Sequence, residues 1–211
     1  MKHDYINKLI ERYPKLESVK TKIETVIDIL KECYDKDGTL YICGNGGSAS
    51  DAEHIVGELM KGFLLNRELS KDLKSKIKNK LGSKGDILSD NLQQGLRAIA
   101  LTSHPSLVTA FANDVHPELV FAQQLSVLGR TGDVILGITT SGNSKNVVRA
   151  LEIASVLGLK TISLTGDHGG KCLEICDCTI NVSETETYIV QEYHLPIYHA
   201  ICATLEDIYF N

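Results

Sequence analysis

Leu16, Val19, Ile23, Val26, Ile27 and Leu30 recur at i, i+3, i+4 and i+7, which lines them up along one side of a helix. The spacing predicts helix over 4–35, interrupted at Pro14. A short apolar run, TLYIC over 39–43, follows the turn signal Asp37-Gly38 and predicts a strand. Glycines at 44, 46 and 47 end it. Ser48 and Asp51 are then expected to cap a helix reaching about Leu64.

Between 66 and 96 the pattern changes. Lys71, Lys74, Lys76, Lys78, Lys80 and Lys84 crowd a polar stretch in which Leu69, Leu73, Ile77 and Leu81 recur every fourth residue. One amphipathic helix followed by a loop is expected there, as a lysine-rich insertion with a solvated face. Regular alternation then resumes. Strands are expected over 97–101, 133–139, 160–164 and 178–182, and helices over 103–113, 117–128, 144–157 and 170–175. One long helix, containing Pro196, is expected over 187–210. Five short strands separated by helices describe a parallel sheet covered on both faces: a single α/β domain over 1–211, with an N-terminal helical segment over 1–35.

Composition narrows the function classes. Hydrophobic residues make up 43% of the 211 and charged residues 23%, which excludes wholesale disorder. The net charge of −5 argues against a chain built to grip nucleic acid. No apolar run approaches the length of a membrane span. The opening MKHDYINKLIERYPKLE is charged throughout and lacks the apolar core of a signal peptide, so a cytoplasmic protein is expected. The six cysteines then read as small buried hydrophobes. Cys172, Cys176 and Cys178 cluster, but their spacing matches no common zinc pattern, and a following strand would carry Cys176 and Cys178 on one face.

In open parallel sheets, ligands bind beyond the carboxyl ends of the strands. Two loops occupy such positions. Asn45-Gly46-Gly47-Ser48 leaves the first strand and opens a helix, offering backbone N–H groups to an anion. Thr139, Thr140, Ser141 and Ser144 follow the strand DVILGI and supply four hydroxyls before another helix. Neither loop carries a dinucleotide or Walker pattern, and Thr102-Ser103 stands where a dinucleotide site would place an acid. A small phosphorylated ligand suits these loops better, although glycine-rich turns also occur for geometry alone.

A second group carries acid–base and metal chemistry. His54 and Glu58 are i, i+4 and share a helix face. Gln191 and His199 lie eight residues apart on the last helix, about 12 Å of rise and 80° of rotation. Two histidines, a glutamate and a glutamine have the donors of a tetrahedral zinc site; the plain alternative is ordinary polar residues bonded to their neighbours. His194, Glu192 and Glu53 are adjacent candidates, whereas His3, His104, His116 and His168 are given no role.

Together these segments resemble the sugar isomerase (SIS) domain, and within it the phosphoheptose isomerases, also called sedoheptulose 7-phosphate isomerases. The resemblance spans about 16–65 and 99–209. It is carried by CGNGGSASDAEHIVGEL, FANDV, GDVILGITTSGNSKNV, ISLTGDHGGK and VQEYHLPIYH. It implies a five-stranded flavodoxin-like fold, a homotetramer with sites between subunits, and a small phosphorylated sugar as substrate. It further implies substrate contacts from Asn45, Gly46 and Gly47, from Asn113 and Asp114, and from the phosphate loop Thr139, Thr140, Ser141 and Ser144. His54, Glu58, Gln191 and His199 match its ligands for one zinc ion per subunit, and Glu58 and His199 its acid–base pair. The chain departs from the pattern in three places. Gly62 stands where an arginine is expected, Tyr188 where an aspartate is, and the 66–96 stretch is longer than usual. The implied activity is aldose–ketose isomerisation of sedoheptulose 7-phosphate. A different phosphosugar, or a non-catalytic SIS protein that binds a protein partner, are the alternatives; the presence of Glu58 and His199 argues against the second.

Overall fold

The structure, a computed structural model, describes residues 4–211; His3 lies outside them. Five parallel strands form one sheet in the order β2-β1-β3-β4-β5. They are β1 (Leu40–Gly44), β2 (Ala98–Ala100), β3 (Val134–Ile138), β4 (Lys160–Thr165) and β5 (Cys178–Asn181). This is the flavodoxin-like order, in which the chain reverses direction across the sheet between β1 and β3. The register pairs Gly44 with Ile138, so the loops leaving those two strands emerge side by side.

Alternation along the strands sorts side chains into two cores. Leu40, Ile42, Val134, Ile138, Ile162, Leu164 and Ile180 face one layer. That layer is built from α1 (Tyr5–Arg12), α2 (Lys20–Asp35), α3 (Gly47–Met60) and α10 (Thr187–Phe210). Tyr41, Cys43 and Ile135 face the other, where α7 (Val120–Leu128) and α8 (Lys145–Val156) pack. Gly137 lets α8 approach closely, since a Cβ there would stand 2.8 Å from Val147. The short helices α6 (Pro105–Asp114) and α9 (Cys172–Ile175) complete the layer.

Most elements fall where the pattern places them, and the departures have local causes. The cap of α3 is Gly46, at φ +56°, in place of the expected Ser48 and Asp51; Ser48 is buried inside the first turn. The same helix ends at Met60, short of Leu64, because the N–H groups of Phe63, Leu64 and Leu65 turn away to the carboxylate of Glu206. The helix expected from 117 begins as a 3₁₀ turn, Pro117–Leu119. The lysine-rich stretch is a helical hairpin and not a helix with a loop: α4 (Lys71–Leu81), a 3₁₀ turn and α5 (Asp86–Asn91). Its neck is closed by an antiparallel bridge between Glu68 and Gln93.

Cys176 and Cys178 do not share a face. Cys176 is the cap of α9, outside the strand, and packs into the α8 layer, whereas Cys178 packs toward α2. All six cysteines are free thiols. The apolar faces of α10 are largely enclosed within the chain; Met60, Leu64 and Leu195 remain exposed near it. Among the described residues no helix is long and apolar enough to cross a membrane.

Candidate active site

The two strand-end loops meet where the sheet reverses. Asn45 and Asn146 exchange reciprocal amide hydrogen bonds of 2.9 and 2.8 Å, tying the first loop to the first turn of α8. Asn146 lies inside the SGNSKN segment, but no periodicity marks it as a partner of Asn45. In the second loop Thr139 and Ser144 share a hydrogen bond of 2.9 Å between their hydroxyls, and Ser141 Oγ accepts from the N–H of Asn143. Gly142 sits at φ +67° with Gly169 O only 1.9 Å from where a Cβ would stand, so the loop is seated tightly on 166–171. Gly166 N–H donates to Thr140 O and Lys171 N–H to Asn143 Oδ1, bracing it further. Asn113 donates to Asp114, and both are exposed at the end of α6.

From the first loop α3 descends about 10 Å to His54. His54 Nε2 lies 3.1 Å from Glu58 Oε1 and 3.5 Å from His199 Nε2. Three of the four expected ligands are therefore brought together. The fourth is not: Gln191 lies against Gly47, where its Nε2 would be 2.6 Å from an added Cβ. Helices α3 and α10 run in the same direction, so Gly47 meets Gln191 and His54 meets His199 two turns lower. Helix α10 runs unbroken through Pro196, which does not draw Gln191 and His199 to one point.

The surroundings of the trio are half apolar. Phe63 is tilted over the His199 ring with centroids 5.6 Å apart. Burial, followed by the proximity of His54, pushes the His199 pKa below its ordinary value, against the pull of Glu58. Glu58 Oε2 is buried without a hydrogen-bond partner, its nearest cation being Lys61 Nζ at 3.5 Å. Position 62 can supply no such charge: a Cβ on Gly62 would meet Leu65 O at 2.5 Å. Tyr188 is exposed at the start of α10. Among the described residues no three His, Cys, Asp or Glu side chains surround a common point for a metal ion. His54, Glu58 and His199 instead meet through direct contacts.

Besides Asn146, the sequence reading of the site missed Tyr198, Asp51, Arg67 and Glu206. Tyr198, buried beside His199, contacts His54 and Asp51. Arg67 and Glu206 form a buried ion pair of 2.7 Å. Arg67 also donates to the carbonyls of Leu59 and Glu58, at 2.7 and 2.9 Å. The one available signal was compositional: Arg67 is the single arginine in a stretch that otherwise uses lysine. His194, an adjacent candidate, is wholly buried and bonds Thr165 O, away from the trio.

Comparison with known proteins agrees with this architecture. The SIS-domain family profile matches residues 4–89 and 92–166. A phosphoheptose isomerase of Helicobacter pylori (strain P12) is 39% identical over 90% of this chain and 86% of its own. The structure of a phosphoheptose isomerase from Neisseria gonorrhoeae superposes with a TM-score of 0.72 at 31% identity, covering 93% of this chain and 91% of that one. One from Francisella tularensis gives 0.73 at 27% identity, covering 96% and 94%. With paired loops at the sheet's reversal point, and a His–Glu–His cluster beneath them, the chain belongs to the SIS-domain family and, within it, to the phosphoheptose isomerases.

Proposed function

We propose that this protein interconverts sedoheptulose 7-phosphate and D-glycero-D-manno-heptose 7-phosphate, in the cytoplasm and as a homotetramer. The observation that carries the reading is the meeting of Glu58 and His199 around His54, about 10 Å along α3 from the first of two adjoining hydroxyl- and amide-lined loops. That separation suits a substrate whose phosphate is remote from its reacting carbons. Aldose–ketose isomerisation moves a proton between C1 and C2 through a cis-enediol. It needs a base at carbon, an acid at oxygen and stabilisation of developing negative charge.

Glu58 is the base. Its Oε2 has no hydrogen-bond partner and stays ready to accept a proton. His199, whose uncharged form is favoured by burial and by His54, relays the proton at oxygen. The phosphate is held by Thr139, Thr140, Ser141 and Ser144 and by the loop Asn45-Gly46-Gly47-Ser48, in which the Ser48 N–H is taken by Asn45 O and the N–H groups of Asn45, Gly46 and Gly47 are left to the ligand. Asn113 and Asp114 contact the sugar.

The donors are those zinc takes, two imidazole nitrogens and a carboxylate with an unsatisfied buried oxygen among them, although the three touch one another here and would have to part to surround an ion. His54, Glu58 and His199 would hold the ion, with Gln191 contributed by a second copy of the chain. Bound zinc would supply Lewis-acid polarisation of the sugar's oxygen atoms. Glu58 acts as base only while its carboxylate is free of the ion.

Glu58→Gln keeps the shape and removes the base, so kcat falls by about 10²–10⁴ with fold and oligomer intact. Proton NMR on a panel of C5 to C7 sugar phosphates reads both the substrate and the loss. Near-normal turnover in the variant overturns the role of Glu58. Preference for another sugar, which Gly62 and Tyr188 would favour, overturns the heptose assignment.

A further inference from the structure

Tyr198 Oη stands 3.2 Å from Asp51 Oδ1 and 3.0 Å from His54 Nδ1, while its ring is 2% exposed. A phenol has one hydrogen to give, and the two neighbours compete for it. Asp51 settles the competition. Its other oxygen, Oδ2, is buried with no partner. Sending the phenol hydrogen to His54 would leave both oxygens of this half-buried carboxylate without a hydrogen bond and with no Lys or Arg beside it, whereas Glu58, the carboxylate that loses His54 Nε2–H in the other arrangement, keeps Lys61 Nζ at 3.5 Å. The hydrogen therefore goes to Asp51, and the phenol oxygen accepts Nδ1–H from His54.

The consequence falls on the opposite nitrogen. A neutral imidazole carries one N–H. With that hydrogen on Nδ1, Nε2 presents its lone pair to Glu58 Oε1 at 3.1 Å and His199 Nε2 at 3.5 Å. An electron pair aimed at a carboxylate is unfavourable unless a cation or proton enters between them. We propose that Tyr198, itself aligned by Asp51, is a positioning residue that locks His54 in its Nδ1–H form and so holds Nε2 as an electron-pair donor at the isomerase centre. The inference rests on the reading of His54 as a ligand and says what makes it one. It also separates two jobs of the ring. The edge-on contacts of Tyr198 with His54 and His199, centroids 5.5 and 5.0 Å apart, need only the aromatic face. The hydroxyl alone sets the tautomer.

Tyr198→Phe therefore isolates the effect, because it keeps the ring and deletes the hydroxyl. Nitrogen-15 NMR of metal-free full-length protein, recorded above the titration of imidazole, reads which nitrogen of His54 carries hydrogen. Competition with a chromophoric chelator reads zinc affinity. Wild type is expected to show Nδ1–H. The variant should move toward Nε2–H, donating to Glu58, and zinc affinity should fall by about 10–100-fold, with circular dichroism unchanged. Nε2–H in the wild type overturns the proposal whatever zinc does, and so does unaltered zinc affinity in Tyr198→Phe. The wild-type spectrum decides even where the variant fails to fold. Nδ1–H in a wild type that binds no zinc supports the role of Tyr198 and overturns the zinc reading instead.

Discussion

Arg67→Met replaces a wholly buried guanidinium with an apolar chain of similar length. The substitution removes the 2.7 Å ion pair to Glu206, the bonds to the Leu59 and Glu58 carbonyls, and the cation–π contact with Phe210 at 4.6 Å. Removing one partner of a buried pair costs about 3–5 kcal/mol. Glu206 keeps its three backbone donors, Phe63, Leu64 and Leu65, which places the loss near the low end, about 3 kcal/mol. In a chain of this length each kcal/mol moves Tm by about 2–4 °C, so Tm should fall roughly 6–12 °C at fixed protein concentration. Adding Glu206→Gln removes the stranded charge. The double variant should be more stable than the sum of the single losses by about 1–3 kcal/mol. Equilibrium denaturation in urea measures all four proteins. Burial raises the Glu206 pKa, but the Phe63 and Leu64 N–H groups and Arg67 outweigh it and hold the carboxyl below its ordinary value. The pair's contribution is thus full above the ordinary carboxylate value and is lost as pH falls through the lowered folded value. A loss below about 1 kcal/mol for Arg67→Met, or strict additivity in the cycle, would refute the reasoning.

His194 gives a pH test at the other end of α10. Burial pushes its pKa down to about 4 against the bond to Thr165 O, from an ordinary 6.5. The unfolded chain therefore takes up the proton first, and roughly 3 kcal/mol of stability is lost as pH falls from the ordinary value toward the folded one. His194→Gln should flatten that slope, and equal slopes in both proteins would contradict it. Gly142→Ala should disrupt the seating of the second loop, because its Cβ would collide with Gly169 O; a kinetic assay should show a raised KM for phosphorylated substrate, and unchanged kinetics would detach this loop from binding. Ser141→Ala combined with Ser144→Ala should likewise raise KM more than it lowers kcat, since contacts to a remote phosphate act on ground state and transition state alike. Steady-state kinetics with neither constant altered would remove these hydroxyls from the phosphate site.

What the sequence made legible follows from the range of the forces involved. The cores of β1, β3 and β4 and the full extent of α10 were readable because burial imposes a period on neighbouring residues. The i, i+4 pairing of His54 and Glu58 was readable for the same reason. Helix α3 was predicted to run four residues too far because its end is set by Glu206, which is distant in sequence and leaves no local trace. The convergence of His199 on His54 came from the resemblance and not from spacing. The displacement of Gln191 depends on the parallel packing of α3 and α10, which helical rise alone does not give. Nothing in the sequence singled out Tyr198, since its hydroxyl matters only once Asp51 and His54 arrive beside it.

The neck of the lysine-rich hairpin has a consequence for how this chain can change over evolutionary time. Gln94 donates to Arg67 O and through its side chain to Glu68 O, beside the Glu68–Gln93 bridge, so the excursion departs and returns at one place. Everything that anchors Arg67 lies on the body side of that closure. Between the two ends, added length costs little: each doubling of a closed loop costs about 0.6 kcal/mol. The hairpin is in this sense a graft, free to lengthen, shorten or exchange its lysines while the pair that steadies Glu58 stays untouched. Variation among relatives should therefore pile up at 69–92 and stop abruptly at the neck.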